Sequence, residues 1–301
     1  MDRDQRRGLQ AAVVAYTLWG LLTLYWKQLA GLDAFELIGW RVSTAALVMA
    51  LVVTILGRWS TIRAALRDRA LVARITLASL LLTVNWTTYV WAVVNERVIE
   101  TALGYFLAPL GTMALGVVVL GERMTPLKWA SVGCAGVAVI VLTASYGRMP
   151  WVALVLAATW SWYGLTKRRV PLDPIESLTS ELLVLFVPAA ALVGAGWLRT
   201  EGIPDQAAGI DWLLLIGTGA ITALPLLLFA FAAQRVPFTL LGPTNYLVPL
   251  INFLLGWLVF GEPLPTSRLI GFGLVWIALA LVTVDTVRGR ATPERRVVPV
   301  R

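Results

Sequence analysis

The sequence predicts an all-α polytopic membrane protein with ten transmembrane helices, arranged as two inverted five-helix repeats around a central cavity. Three observations lead there. Long uncharged apolar runs recur along the chain, lysines and arginines gather on alternate connections, and the second half repeats the first at a fixed offset. Of the 301 residues, 58% are hydrophobic and only 14% are charged, against about 25% charged in a soluble domain. Mean hydropathy is +0.78. A hydrocarbon core of about 30 Å takes about 20 apolar residues at 1.5 Å each. Runs of that kind are too many and too evenly spaced here to be the core helices of a soluble fold.

The expected spans lie near residues 9–27, 35–56, 74–94, 99–120 and 127–144, then 149–166, 176–198, 211–233, 238–260 and 268–285. A polar leader, residues 1–8, precedes the first run, which is too long for a typical signal peptide and is read as a retained helix. The second span follows Asp33 and Glu36, and the seventh follows Asp173 and Glu176. In each pair the first residue is expected to cap the helix and the fourth to face back. Gly121 and Gly261 are expected to terminate the fourth and ninth spans, and Thr125-Pro126 to begin the fifth. Gly133, Gly136, Gly271 and Gly273 are expected to let helices approach closely. The domain plan is then the leader, a first repeat at 9–144, a second at 149–287, and a disordered cytoplasmic tail at 288–301 with Pro293 and Pro299 around Arg295-Arg296.

Ten spans put both termini on one side, and the basic residues choose which. Nineteen fall on the N-terminal side: Arg3, Arg6 and Arg7, the five from Arg58 to Arg74, Arg123, Lys128, Lys167 to Arg169, Arg235, and five in the tail. Five fall opposite: Lys27, Arg97, Arg148, Arg199 and Arg268. Both termini are therefore expected in the cytoplasm. Topology also accounts for the net charge of +8 better than nucleic acid does. The chain has no histidine, and its single cysteine, Cys134, can form no internal disulfide.

An offset of 140 residues superposes Pro109-Leu110 on Pro249-Leu250, Gly116 on Gly256, Gly121-Glu122 on Gly261-Glu262, Gly133 on Gly273, and Leu32-Asp33 on Leu172-Asp173. With five spans in each half, the second half must enter the bilayer in the opposite sense. Such repeats give secondary transporters two similar ways of opening around a site near the midplane.

Polar residues within spans mark where that site would be, because a charge in hydrocarbon costs a few kcal/mol and usually faces a cavity or a partner. Arg41 lies about two turns into the second span, and Glu181, its mate at the same offset, lies equally deep in the seventh. At 1.5 Å per residue both side chains come about 12 Å inward from their helix starts, so an ion pair and a shared substrate site are both open readings. Asn85, Trp86, Tyr89 and Trp91 in the third span, Tyr105 in the fourth, and Asn245, Tyr246 and Asn252 in the ninth form a second group. Asn85 and Trp86 stand four and three residues before Tyr89, so at least two of the three can share a helix face. Trp91, close to a boundary, suits an interfacial anchor equally well. Aromatic walls with a few amides suit a small amphipathic organic molecule, aromatic or cationic.

These residues, with the duplication, resemble the EamA-type permeases of the drug/metabolite transporter superfamily, and within them the RarD branch named for chloramphenicol sensitivity. The resemblance covers about residues 9–287 and is carried by Asn85-Trp86, Tyr89 to Val93, Asn95, Glu100, Leu103 to Phe106, Pro109-Leu110, Asn245-Tyr246, Pro249, Gly261 to Leu264, Arg268 to Phe272, Arg41 and Glu181. Trp40 stands where the branch usually has His, Val94 where it has Asn, and Asn245 where Gln is common. The resemblance implies ten helices around a central cavity, with export or exchange of a metabolite or drug across the cytoplasmic (inner) membrane by alternating access. No cofactor is expected, and with no histidine in the chain no metal site is expected.

An embedded enzyme would need a nucleophile with its base, a metal cluster or paired acids at bilayer depth. With no His, one Cys and neither a His-Glu-x-x-His nor a Gly-x-Ser-x-Gly spacing, no catalytic residue is assigned. The rival reading is a non-transporting scaffold or assembly partner. The expected partners are a small-molecule substrate and the lipid bilayer, with a second copy of the chain as a candidate and no nucleic acid.

Overall fold

A chain whose solvent is hydrocarbon must close its backbone hydrogen bonds on itself, and a helix does so within a single segment. The computed structural model, which describes residues 3–121, 124–233, 235–236 and 244–291, is helical almost throughout, with one isolated bridge between Ala30 and Leu32. In chain order the described helices are α1 (Arg3–Gln28), α2 (Ala34–Ile55), α3 (Trp59–Arg67), α4 (Arg69–Val94), α5 (Val98–Leu120), α6 (Pro126–Tyr146), α7 (Trp151–Lys167), α8 (Pro174–Gly196), α9 (Ile203–Gln206), α10 (Ile210–Ala233), α11 (Leu247–Leu254) and α12 (Thr266–Ala291).

Eight of these, α1, α2, α4, α5, α6, α8, α10 and α12, are long and apolar enough to cross a membrane. The sixth expected span falls on α7, of 17 residues. The ninth falls on α11, which continues through a π-helical turn at Leu255–Val259; residues 238–243 of that span lie outside the described residues. The described part of the expected leader is already helical, since α1 begins at Arg3. At the other end α12 extends to Ala291, and the remainder of the expected tail lies outside the described residues. The connection from Arg58 to Arg74 is not merely a loop: it holds α3, with Ile62 and Ala65 buried.

The helix ends correct one expectation. Asp33 caps α2 by accepting from the N–H groups of Phe35 (3.1 Å) and Glu36 (2.9 Å). Glu36 does not face back, because its Oε2 accepts from the N–H of Ile203 at 2.8 Å and caps α9 instead. Asp173 makes no cap; it and Glu176 both accept from Arg58, at 3.3 and 2.9 Å. The guanidinium gives both carboxylates a charge-assisted hydrogen bond in place of the cap. Gly121 and Gly261 end their helices with φ of +68° and +65°, in the left-handed region that glycine enters without steric penalty. Thr125 accepts from the N–H of Lys128 (3.3 Å) and Pro126 opens α6.

The chain packs as two units, Met1–Ala108 with Val152–Pro263 and Pro109–Trp151 with Leu264–Arg301, so each joins segments from both halves of the sequence. In the larger, α2 packs against α8, α10 and α4, and α1 packs against α10 and α11. In the smaller, α6 packs against α12. There Leu142 presses on Gly271 as expected, but among the described residues nothing lies within 4 Å of where a Cβ would sit on Gly133, Gly136 or Gly273. Close approach is needed elsewhere, as at Gly219, where a Cβ would come within 2.8 Å of the Ala45 backbone nitrogen. The outward face of α2 shows Leu47, Leu51 and Ile55 to the surroundings, a side suited to lipid. The helix starts keep the sequence offset, with α2 and α8 beginning at 34 and 174 and α6 and α12 at 126 and 266.

Candidate functional site

Most of the polar side chains singled out from the sequence, though not Asn245, Tyr246 and Trp91, gather inside the larger unit. Asn85, on the buried face of α4, uses its whole amide. Its Nδ2 donates to Leu156 O (3.2 Å) and Thr159 Oγ1 (2.9 Å), and its Oδ1 accepts from the hydroxyl of Tyr105 (3.1 Å). One turn on, Tyr89 shares a hydrogen bond with Thr23 Oγ1 at 2.8 Å, and Thr23 donates to Asn252 Oδ1 at 2.8 Å. Thr23 has one proton to give, so the Tyr89 hydroxyl is the donor to Thr23. Asn252, fully buried on α11, reaches Thr101 Oγ1 at 3.5 Å. Four helices, α1, α4, α5 and α11, are thus tied by groups that would each cost 1–3 kcal/mol if left unpaired.

Arg41 lies 4% exposed on α2. Its guanidinium carbon is 4.0 Å from the ring centre of Trp86 and 5.2 Å from that of Trp26, and its Nε donates to Thr222 Oγ1 at 3.2 Å. Tyr105 and Tyr89 are within its electrostatic reach. The aromatic series continues from Tyr89 to Tyr105 (ring centres 6.0 Å apart), from Tyr105 to Trp160 (6.1 Å) and from Trp160 to Tyr163 (5.7 Å). Tyr105 and Tyr163, within this series, are half-buried.

At the far end of this series stands Glu181, fully buried. The structure pairs it not with Arg41 but with Lys167 (2.5 Å), Ser177 (3.2 Å) and Tyr163 (3.1 Å). The short connection from α7 to α8 sets Lys167 beside the second turn of α8, and its stem carries the ammonium inward. Asn245 is exposed and Tyr246 half-buried before α11, and among the described residues no contact joins either to the cluster. Trp91 is half-buried with the Arg97 guanidinium 4.9 Å from its ring, as an anchor would be.

Sequence reasoning missed Thr23, Trp26, Thr222, Trp160, Tyr163 and Lys167. Trp160 and Tyr163 carry the same three-residue aromatic spacing as Trp86 and Tyr89 and were open to the same test. The threonines gave no signal, because a helical hydroxyl can satisfy itself on its own backbone. Among the described residues no three His, Cys, Asp or Glu side chains gather as a metal site would require.

Outside the site, Glu262 caps α5 from the loop after α11, accepting from the N–H groups of Val98 (2.5 Å) and Ile99 (2.9 Å). Burial pushes its carboxyl above the usual carboxylate range, against those two bonds and Lys27, which pull it down.

Residues 6–144 and, separately, 148–284 match the EamA-like transporter family. The chain is 43% identical to Protein RarD of Streptomyces exfoliatus over 95% of its own length and 91% of that protein. It is 34% identical to the uncharacterized transporter YojE of Bacillus subtilis over 95% and 96%. A crystal structure of a protein 20% identical superposes with a TM-score of 0.58, covering 93% of this chain and 98% of the other, which shows a shared fold. With eight apolar helices and these relatives along its length, the chain is a multi-pass cell-membrane protein that belongs to the EamA-like transporter family, in the branch of the RarD permeases.

Proposed function

We propose that the chain is a secondary transporter that moves a small amphipathic molecule across the cell membrane by alternating access, in export or exchange. In this reading ten helices form two inverted five-helix repeats, both termini are cytoplasmic, and the substrate is held by Arg41, Asn85, Trp86, Tyr89, Tyr105 and Asn252. The observation that carries it is the run of buried hydroxyls, amides and rings from Arg41 to Glu181, gathered among helices that are otherwise apolar. The repeated match of one family to both halves supports the duplication. Asn245 and Tyr246 stay outside this contact set.

The test is reconstitution of purified protein in liposomes. Counterflow is followed for amino acids, amines, nucleosides and chloramphenicol-like aromatics that first raise the unfolding temperature. Asn85→Leu is expected to fold and to lose both the ligand-induced shift and transport. A scaffold would show neither activity in the wild type and would tolerate the change.

A further inference from the structure

We infer that the substrate carries an anionic group, a carboxylate in the simplest case, and that Arg41 is its counter-ion. The inference deepens the transport reading and rests on it for the word substrate, though not for the site. The guanidinium of Arg41 is buried, and its Nη1 has no hydrogen-bond partner. Among the described residues no carboxylate pairs with it; the charged pairs of this unit use Lys27, Arg58, Lys167 and Arg199 instead. The remaining partners of Arg41 are two indole rings and one threonine hydroxyl, all neutral. Trp26, whose ring is one of the two, also has an unpartnered buried Nε1–H.

Two donor nitrogens without a partner and one uncompensated positive charge therefore lie in one neighbourhood that, among the described residues, holds no fixed acceptor of opposite sign. Water could fill a hydrogen bond but cannot balance the charge. An anion does both, and a carboxylate can take two donors from a guanidinium at once. The rings of Trp26 and Trp86 lie against the guanidinium itself, 5.2 and 4.0 Å from its carbon, and Tyr89 and Tyr105 stand within its field. An apolar or aromatic body attached to the carboxylate would lie along them. A cationic amphiphile fits poorly, since the first charge it meets is its own.

The glutamate and the arginine at equivalent positions of the two halves are consequently unlike in state. Glu181 has its counter-ion in Lys167, whereas Arg41 has none among the described residues. One half arrives with its charge settled and the other with a charge to fill.

The experiment uses full-length protein in phosphatidylcholine nanodiscs, so that no anionic headgroup competes. Unfolding temperature is measured for wild type, Arg41→Met and Arg41→Lys with sodium acetate, octanoate, benzoate and 3-phenylpropanoate. Controls at equal ionic strength are 3-phenylpropanamide, 2-phenylethylammonium chloride and sodium chloride. Without ligand, Arg41→Met is expected to unfold at a higher temperature than wild type, because replacing a buried unpaired charge by an apolar side chain of similar length relieves desolvation. At least one carboxylate is expected to raise the wild-type temperature by several degrees and to leave Arg41→Met unmoved, while the amide, the ammonium compound and chloride do nothing.

A lower unfolding temperature for ligand-free Arg41→Met would mean that Arg41 is a structural tie and would overturn the inference. So would an Arg41-dependent shift by the ammonium compound, or the absence of any Arg41-dependent shift by a carboxylate. Counterflow of the same compounds separates the two readings. Arg41-dependent carboxylate binding without transport would sink the permease and keep the anion site, and transport of the ammonium compound indifferent to Arg41→Met would do the reverse.

Discussion

Each buried charge in this protein is decided by its few nearest neighbours. Lys167 and Glu181 show it: the carboxylate is fully buried and takes hydrogen bonds from Lys167, Ser177 and Tyr163. Lys167→Met leaves the carboxylate with two neutral donors and no counter-ion, and removing one partner of a buried pair costs about 3 kcal/mol or more. Thermal unfolding in nanodiscs should show that loss, and adding Glu181→Gln in the same chain should recover most of it; an additive double variant would mean the pair is not coupled. Glu262 supplies a pH test. Its ordinary value is 4.5 and burial raises it in the folded chain, so the folded state holds the proton more tightly than the unfolded state does. The stability this contributes is complete below the ordinary value and is lost as pH rises through the raised one. Wild type should therefore lose stability relative to Glu262→Gln between pH 4 and pH 8. An unchanging difference across that range would contradict the shift.

Among the helices, glycine placement separates what a sequence pattern suggests from what packing requires. Gly133 and Gly273 stand at the repeat offset and carry the small-residue spacing of a helix interface, yet among the described residues a Cβ on either meets nothing within 4 Å. Gly219, to which no pattern drew attention, lets α10 lie directly on the backbone of α2 at Thr44 and Ala45. Gly219→Val should cost 1–3 kcal/mol or more, because backbone cannot shift aside as a side chain end can. Gly133→Ala should stay within about 1 kcal/mol of wild type, with any change favourable through helix propensity. Unfolding temperatures of the two variants, measured side by side, decide it. Helix starts and stops were more legible. Asp33, Thr125, Gly121 and Gly261 act as the sequence implied, because a cap is a contact over three or four residues. Glu36, Asp173 and Glu176 do not, because partners far along the chain, Ile203 and Arg58, outbid the local backbone.

At the scale of the whole molecule, the proposed topology makes its own prediction. If both termini are cytoplasmic and the halves are inverted, green fluorescent protein fused after residue 301 should fluoresce. Alkaline phosphatase fused there should be inactive, and fused after Gly147 it should be active. An active phosphatase at the C-terminus would break the ten-span count. The sequence by itself determined that this is a helical membrane protein, where its long apolar segments lie, that its halves are related, and which family it belongs to. Hydropathy, charge asymmetry and repetition are summed over many residues and survive local error. Only the tertiary structure decided which polar groups meet. It showed that Arg41 and Glu181 do not pair, that Thr23 joins Tyr89 to Asn252, and that Trp160 and Tyr163 carry the aromatic series toward Glu181. Such contacts turn on the rotation of one helix against another, and in hydrocarbon that rotation is set by side-chain packing and hydrogen bonding between segments far apart in sequence.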